Sequence, residues 1–383
     1  MIEAGSYMNI APEPAAGVGM CRLVARTDGE TVLRVDPHIG FSHRGIEKLI
    51  ERKNLLQGVV LVEKLNASAP YSCAHAFVLA AEKLIGANVP ERASFIRAAM
   101  AEIGRAASHL RSIADLASET GTDAVRPVAR RAAALIEKTA DALCRGCPSA
   151  IFIRVGGVGN DWRDDYADLL EKLLTVDLPP LLSEIEDLLT ENAVFKSRTV
   201  GVGVLDAQTA VSCGFTGVNL RACGEKWDLR ANEPYEVYGR LPFDVPLKTQ
   251  GDCYARYLLR VFEIYQSMAL IRKIADVLPS GETIDPEYDV AGTGLTALSR
   301  RYDFYGKGID IPAGEVYAAV ESPSGEFGVF MVGDGTPYPY RCHFRSAGFP
   351  VVQALDRLTA GADLADVRVI LASLDIKTTE VDR

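Results

Sequence analysis

Apolar positions along the chain change their period several times, and each change marks an element. Between Gly19 and Asp36, two β-rich runs, Cys21–Ala25 and Thr31–Val35, flank Asp28-Gly29, a strong tight-turn signal, so a hairpin is predicted. A short extended segment then ends at Asp36-Pro37-His38-Ile39-Gly40. From near His43 the spacing becomes helical. Ile46, Leu49, Ile50 and Leu56 share one face, and Glu47, Lys48, Glu51, Arg52 and Lys53 take the rest. A small, nearly uncharged stretch, Asn66 to Cys73, leads into a helix rich in Ala and Leu. Helices are predicted over about Glu91–Ser118, with Pro90 at the start, and about Asp123–Arg145, with Asp123 as a capping residue.

A buried turn is expected at Arg154–Gly157. Helical stretches at Asp164–Leu174 and Leu181–Leu189 are expected to be broken at Pro179-Pro180. Glycine-rich loops are predicted at Gly201–Gly203 and Gly214–Gly224, then a long helix over Asp252–Leu278. Ser280–Asp289 is the best linker candidate. A three-strand meander closes the pattern, Glu315–Glu321, Phe327–Val332 and Tyr340–Phe344, followed by two short elements at Val351–Leu358 and Val367–Leu374.

Composition narrows the function. Hydrophobic residues make up 48% and charged residues 24% of the 383, the mix of a globular protein. The net charge of −10 argues against general nucleic-acid binding, which needs basic surface. With no apolar run of about 18 residues and no basic or apolar leader in Met1–Gly5, an intracellular location is expected. The eight scattered cysteines read as free thiols. Cys144-Arg145-Gly146-Cys147 is a lone CxxC without a second pair, and the five histidines have no metal-ligand spacing. Gly201-Val202-Gly203 is only a fragment of a nucleotide loop, and no Walker motif is present. His43–Lys48 reads either as a functional corner or as a solvated helix face. His109, on an apolar face, reads first as a hydrogen-bonded core residue.

His43-Arg44-Gly45-Ile46-Glu47-Lys48-Leu49-Ile50-Glu51-Arg52-Lys53 resembles a stretch shared by the 49 kDa subunit of respiratory complex I, the NADH–quinone oxidoreductase, and the related [NiFe] hydrogenase large subunits. Asp36–Gly40, Val89–Ala93, Ser108-His109-Leu110, Ile153–Gly157, Trp227–Arg230, Phe243–Pro246, Gly251–Tyr254, Pro312–Tyr317, Ser324–Glu326, Pro339–Arg341 and Val381-Asp382-Arg383 agree in order over essentially the whole chain. The resemblance implies an α+β, mainly helical, [NiFe]-hydrogenase large-subunit-like fold. It would be one domain with a β element over 1–42, a helical core over 43–310 and a meander with tail over 311–383. It also implies a peripheral subunit on the cytoplasmic side of the cell membrane, in a complex I-like NADH–quinone oxidoreductase. Expected partners are a small iron–sulfur subunit, a 30 kDa-type subunit and membrane-arm subunits, in electron transfer coupled to ion translocation. Quinone would be substrate, the iron–sulfur cluster would belong to the partner, and this chain would hold no metal.

Departures from the family pattern bear on the chemistry. The two cysteine pairs that hold nickel in hydrogenases fall at Asn66–Ala69 and near Ile376–Thr379, where no cysteine stands, so hydrogenase activity is excluded. The family tyrosine and histidine that hydrogen-bond quinone correspond to Ala67 and Val18. A further family histidine of that loop corresponds to Pro14. Tyr71 and Glu119 are possible substitutes, Glu119 matching the acid that supports the family histidine. The expected quinone cavity thus involves Gly17, Val18, Gly19, Ala67, Ser68, Tyr71, His109 and Glu119. Lys64 and Ala150 would face the partner's cluster, and His38, His43, Arg44, Glu47 and Lys48 are family-signature residues. The alternative is a degenerate scaffold subunit without quinone or hydrogen chemistry. A stand-alone binding protein is a third reading.

Overall fold

The computed structural model describes residues 6–10, 15–147, 149–290 and 294–383, the side chain of Ala150 excepted. The N-terminal hairpin forms as strands β2 (Arg22–Asp28) and β3 (Thr31–His38), turning at Gly29. A further strand that the alternation did not announce, β1 (Ser6–Ile10), pairs antiparallel with β2. Four of its five residues are exposed, so it lacks the apolar side that signals a strand. The sheet buries Leu23, Ala25, Val32 and Val35, and Asp356 accepts a hydrogen bond from Val35 N at 3.0 Å.

The helix expected from His43 is two helices, α1 (Ile46–Ile50) and α2 (Leu55–Val62). Gly45 stands at φ +63°, a left-handed conformation that delays the start. Asn54 accepts from Gln57 N at 3.0 Å and begins α2. Helices α3 (Pro70–Ile85), α4 (Glu91–Glu119) and α5 (Val125–Leu143) follow. Asp123 makes no cap on α5, whose N-cap position is Ala124. Pro179-Pro180 opens the helix Pro179–Leu189 rather than breaking one, because proline's missing N–H costs nothing in a first turn. The predicted loop at Gly214–Gly224 contains the helix Gly217–Arg221. Asp252 caps the long helix Cys253–Val277, which packs along α4.

The meander forms as Gly314–Ser322, Gly325–Gly333 and Arg341–Arg345, all antiparallel. Its inner residues Ala318, Val320, Phe327, Val329, Met331 and Phe344 are buried, and α3 packs against it. Val351–Leu358 and Val367–Leu374 fall in short helices. The α+β, mainly helical architecture with these flanking sheets is the one expected. Between α4, the long helix and the meander lies a dry ionic cluster. Arg230 donates to Glu102 at 3.0 Å and to Asp228 at 2.6 Å. Arg221 donates to Glu263 and to Glu321, both at 2.7 Å. Each carboxylate there is met by a guanidinium, which lets charge persist away from water.

Candidate functional site

The small residues of α3, α4 and α5 leave a gap where their faces meet. Gly104, Ala107 and Arg111 recur at helical spacing on α4, and Ile136, Glu137, Ala140 and Asp141 on α5. With Ala67, Ser68, Pro70, Tyr71, Ile103 and Ser149 they enclose a cavity of about 210 Å³. Both α4 and α5 bring apolar and polar groups to it: beside Ile103, Ala107, Ile136 and Ala140 stand the Arg111–Glu137 ion pair, Asp141 and Ser149, whose hydroxyl donates to Glu63 at 3.1 Å. Tyr71 sits in the first turn of α3, edge-on to Phe152 with ring centroids 6.5 Å apart. Burial, helped by Cys144, Asp141 and Glu63, pushes its phenol well above the usual range, so it stays a neutral donor. A Cβ on Gly104 would stand 3.3 Å from the Tyr71 ring. Three of the sequence-predicted cavity residues, Ala67, Ser68 and Tyr71, therefore come together. Arg111, Glu137 and Asp141 carried no signal in the sequence, because only the register of α4 against α5 places them opposite Ala67.

Gly17, Val18 and Gly19 are not among the residues lining this cavity and stand beside residues 377–378. Val18 is buried, and its carbonyl accepts from Thr378 N at 3.0 Å. The carbonyl of Gly17 accepts from Lys377 Nζ at 3.0 Å. Glu119 does support this loop, through a backbone N–H: Ala16 N donates to it at 2.7 Å, and Arg368 Nε donates to it at 2.7 Å. Glu119 and Gly17 border a separate depression with Asp115, Arg126 and Arg130. Pro14 lies outside the described residues.

The two stretches expected to match the hydrogenase cysteine pairs, Asn66–Ala69 and Ile376–Thr379, are joined through residues at their borders. Thr379 Oγ1 donates to the Leu65 carbonyl at 2.8 Å, and Asn66 Nδ2 donates to Glu380 Oε2 at 2.8 Å. Glu380 was not among the candidates, and its one sequence signal was an acidic residue immediately after that second stretch.

His109 is fully buried and donates from Nε2 to Glu263 at 3.0 Å, outside the cavity lining. Burial lowers its pKa and holds the ring neutral against the opposing pull of Glu263. The signature residues around His43 form a clasp. Glu47 accepts from Arg341, Phe344 N and Arg383, at 3.1, 2.9 and 3.0 Å. Asp382 accepts from Gly40 N and Ser42 N, both at 2.8 Å, and His43 Nδ1 donates to the Asp382 carbonyl at 2.8 Å. Arg44 donates to the carbonyl of Lys64 at 2.7 Å, and Lys64 itself is exposed. Lys48 pairs with Glu51, and His38 stands exposed 3.6 Å from Asp36. Cys144 is buried at the end of α5, its thiol 3.9 Å from Met100 Sδ. The side chain of Ala150 is not among those described.

Comparison with known proteins gives a consistent picture. A family model described as the respiratory-chain NADH dehydrogenase 49 kDa subunit matches residues 138–383. An NADH-quinone oxidoreductase subunit of Parvibaculum lavamentivorans is 42% identical over 390 residues, covering 98% of each chain. The equivalent NADH-quinone oxidoreductase subunit of Agrobacterium fabrum is 41% identical over 393 residues, and that of Wolbachia pipientis wMel 39% over 389, again with 98% of each chain covered.

Proposed function

Because the chain belongs to the family of the respiratory-chain NADH dehydrogenase 49 kDa subunit, we propose that the cavity between α3, α4 and α5 seats the headgroup of a quinone. The observation that carries this is the cavity's mixed lining: Ile103, Ala107, Ile136 and Ala140 to pack against the ring, and Tyr71, Asp141 and the Arg111–Glu137 pair as polar groups for its oxygens. Reduction of a quinone takes up two electrons and two protons. The electrons arrive from an iron–sulfur cluster held by a partner subunit, and this chain holds no metal. The protons come from the polar groups, with the Tyr71 hydroxyl as donor and the acids of α5 resupplying it. Tyr71 thus takes over from the missing donors at Ala67 and Val18. Among the described residues no helix is long and apolar enough to cross a membrane. The chain accordingly acts as a peripheral member, held by a 30 kDa-type subunit and by membrane-arm partners that couple the reaction to ion movement.

The test is Tyr71→Phe in the assembled complex. Quinone reductase turnover should fall by about a hundredfold or more, the usual contribution of one general acid at the low end. NADH oxidation by an artificial acceptor upstream should be unchanged. Val18, buried under Thr378 with no proton to give, favours a second reading, a scaffold without quinone chemistry. That reading requires Tyr71→Phe to change nothing.

A further inference from the structure

Glu380 and Asn66 are each only 2% exposed. The Glu380 carboxylate accepts three hydrogen bonds: from Asn66 Nδ2 at 2.8 Å, from Ser346 Oγ at 2.9 Å and from Ala347 N at 3.1 Å. The Asn66 amide is used at both ends, since its Oδ1 accepts from Ser68 N at 3.0 Å. The Asn66 carbonyl in turn accepts from Ala69 N at 3.0 Å, closing the turn that precedes α3. Ala67 and Ser68, held inside this turn, line the cavity.

We propose that Glu380 is a positioning residue for the quinone-type cavity, fixing the Ala67–Ser68 rim through the side chain of Asn66. The inference rests on the quinone reading given above. Its physical basis is the polarity of an amide. The Glu380 oxygen facing Asn66 accepts and a backbone N–H only donates, so one orientation of Asn66 satisfies both neighbours. Glu380 selects that orientation, and Ser346 and Ala347 hold Glu380 itself. Remove the acceptor, and a buried amide is free to turn its oxygen away from Ser68. The rim then loses the bond that sets its shape, although the helices around it stay packed.

The coupling can be made to titrate. Asn66→Asp replaces the donated bond with two carboxylates in contact, and their like charges postpone the second ionisation to higher pH. A shared proton restores the bond at low pH, and the bond is lost as pH rises and that proton leaves. The other titratable groups acting on Glu380 are Asp375, itself 2.7 Å from Lys377, and the Cys73 thiol on α3. Neither brings a cation to the pair.

The experiment measures KM and kcat for a short-chain ubiquinone in assembled membrane complexes across the assay pH range. With Asn66→Asp, KM should match wild type at the acid end and rise about tenfold at the alkaline end, with kcat little changed. With Glu380→Gln, KM should rise at every pH by about threefold or more. Assembled complexes in which both variants keep the wild-type KM throughout would overturn the proposal. So would failure of both variants to assemble at any pH, which would make Glu380 a packing residue only. Ser68→Trp fills the cavity and tests the underlying reading by itself. An unchanged KM there removes the quinone site. A raised KM there, beside unchanged Asn66→Asp and Glu380→Gln complexes, removes only the role of Glu380.

Discussion

Gly17 has two reasons to be glycine. Its backbone lies at φ +74°, where a side chain is strained, and a Cβ would fall 2.1 Å from the Asp115 carboxylate. Gly17→Ala should therefore destabilise the chain by about 1–3 kcal/mol, read from the urea midpoint. It should also free the loop that Glu119 and Lys377 hold, read as faster amide exchange at Ala16. Residues of this kind were partly legible. The resemblance marked the loop at Gly17–Gly19 and the wall at Ala67–Tyr71. It put Val18, Glu119 and His109 in one cavity with Tyr71, and none of those three lines the pocket that holds Tyr71. His109 behaves as its apolar helix face suggested, as a hydrogen-bonded core residue. Glu380 had no partner within reach along the chain, and its bond to Asn66 spans 314 positions.

At the scale of elements, legibility followed length and ends. The long helix Cys253–Val277 was readable because its capping residue is local: Asp252 Oδ1 accepts from Ala255 N at 2.7 Å. Asp252 Oδ2 also accepts from Gly201 N at 2.9 Å, so one side chain joins the helix start to the preceding glycine loop. Asp252→Ala should cost about 1–2 kcal/mol, at the upper end for a lost cap because two bonds go with it, measured by thermal or urea unfolding. Short elements were less readable. The late start of α1 depends on Gly45 and the separate start of α2 on Asn54, inside an unbroken charged and apolar pattern. The edge strand β1 is set by its partner β2 and not by its own periodicity.

Across the whole molecule, ionic clusters in the core make stability depend on acid. Arg97 donates to Glu82 at 2.6 Å and to Glu236 at 3.1 Å, and His75 Nε2 lies 2.9 Å from the same Glu236 oxygen. Burial alone would raise the Glu236 carboxyl. The Arg97 guanidinium and the His75 bond prevail, and its pKa is lowered from 4.5 to about 2. A depressed folded-state pKa contributes stability above the unfolded value and loses it as pH falls towards the folded one. Unfolding free energy should therefore drop between pH 4.5 and about 2, and Glu236→Gln should flatten that slope in an acid titration followed by circular dichroism.

The clasp of Asp382 and Arg383 on Gly40, Ser42 and Glu47 has a consequence in time. Gly40 and Asp382 are 342 positions apart, and Glu47 and Arg383 are 336 apart. During synthesis the signature segment waits for partners that lie far downstream in the chain, since contacts this distant in sequence form late. The Ala67–Ser68 rim waits with it, because Glu380 belongs to the same late stretch. A stalled or shortened chain would thus present α3, α4 and α5 with an unfinished pocket, and quality control would meet that surface before any assembly partner could.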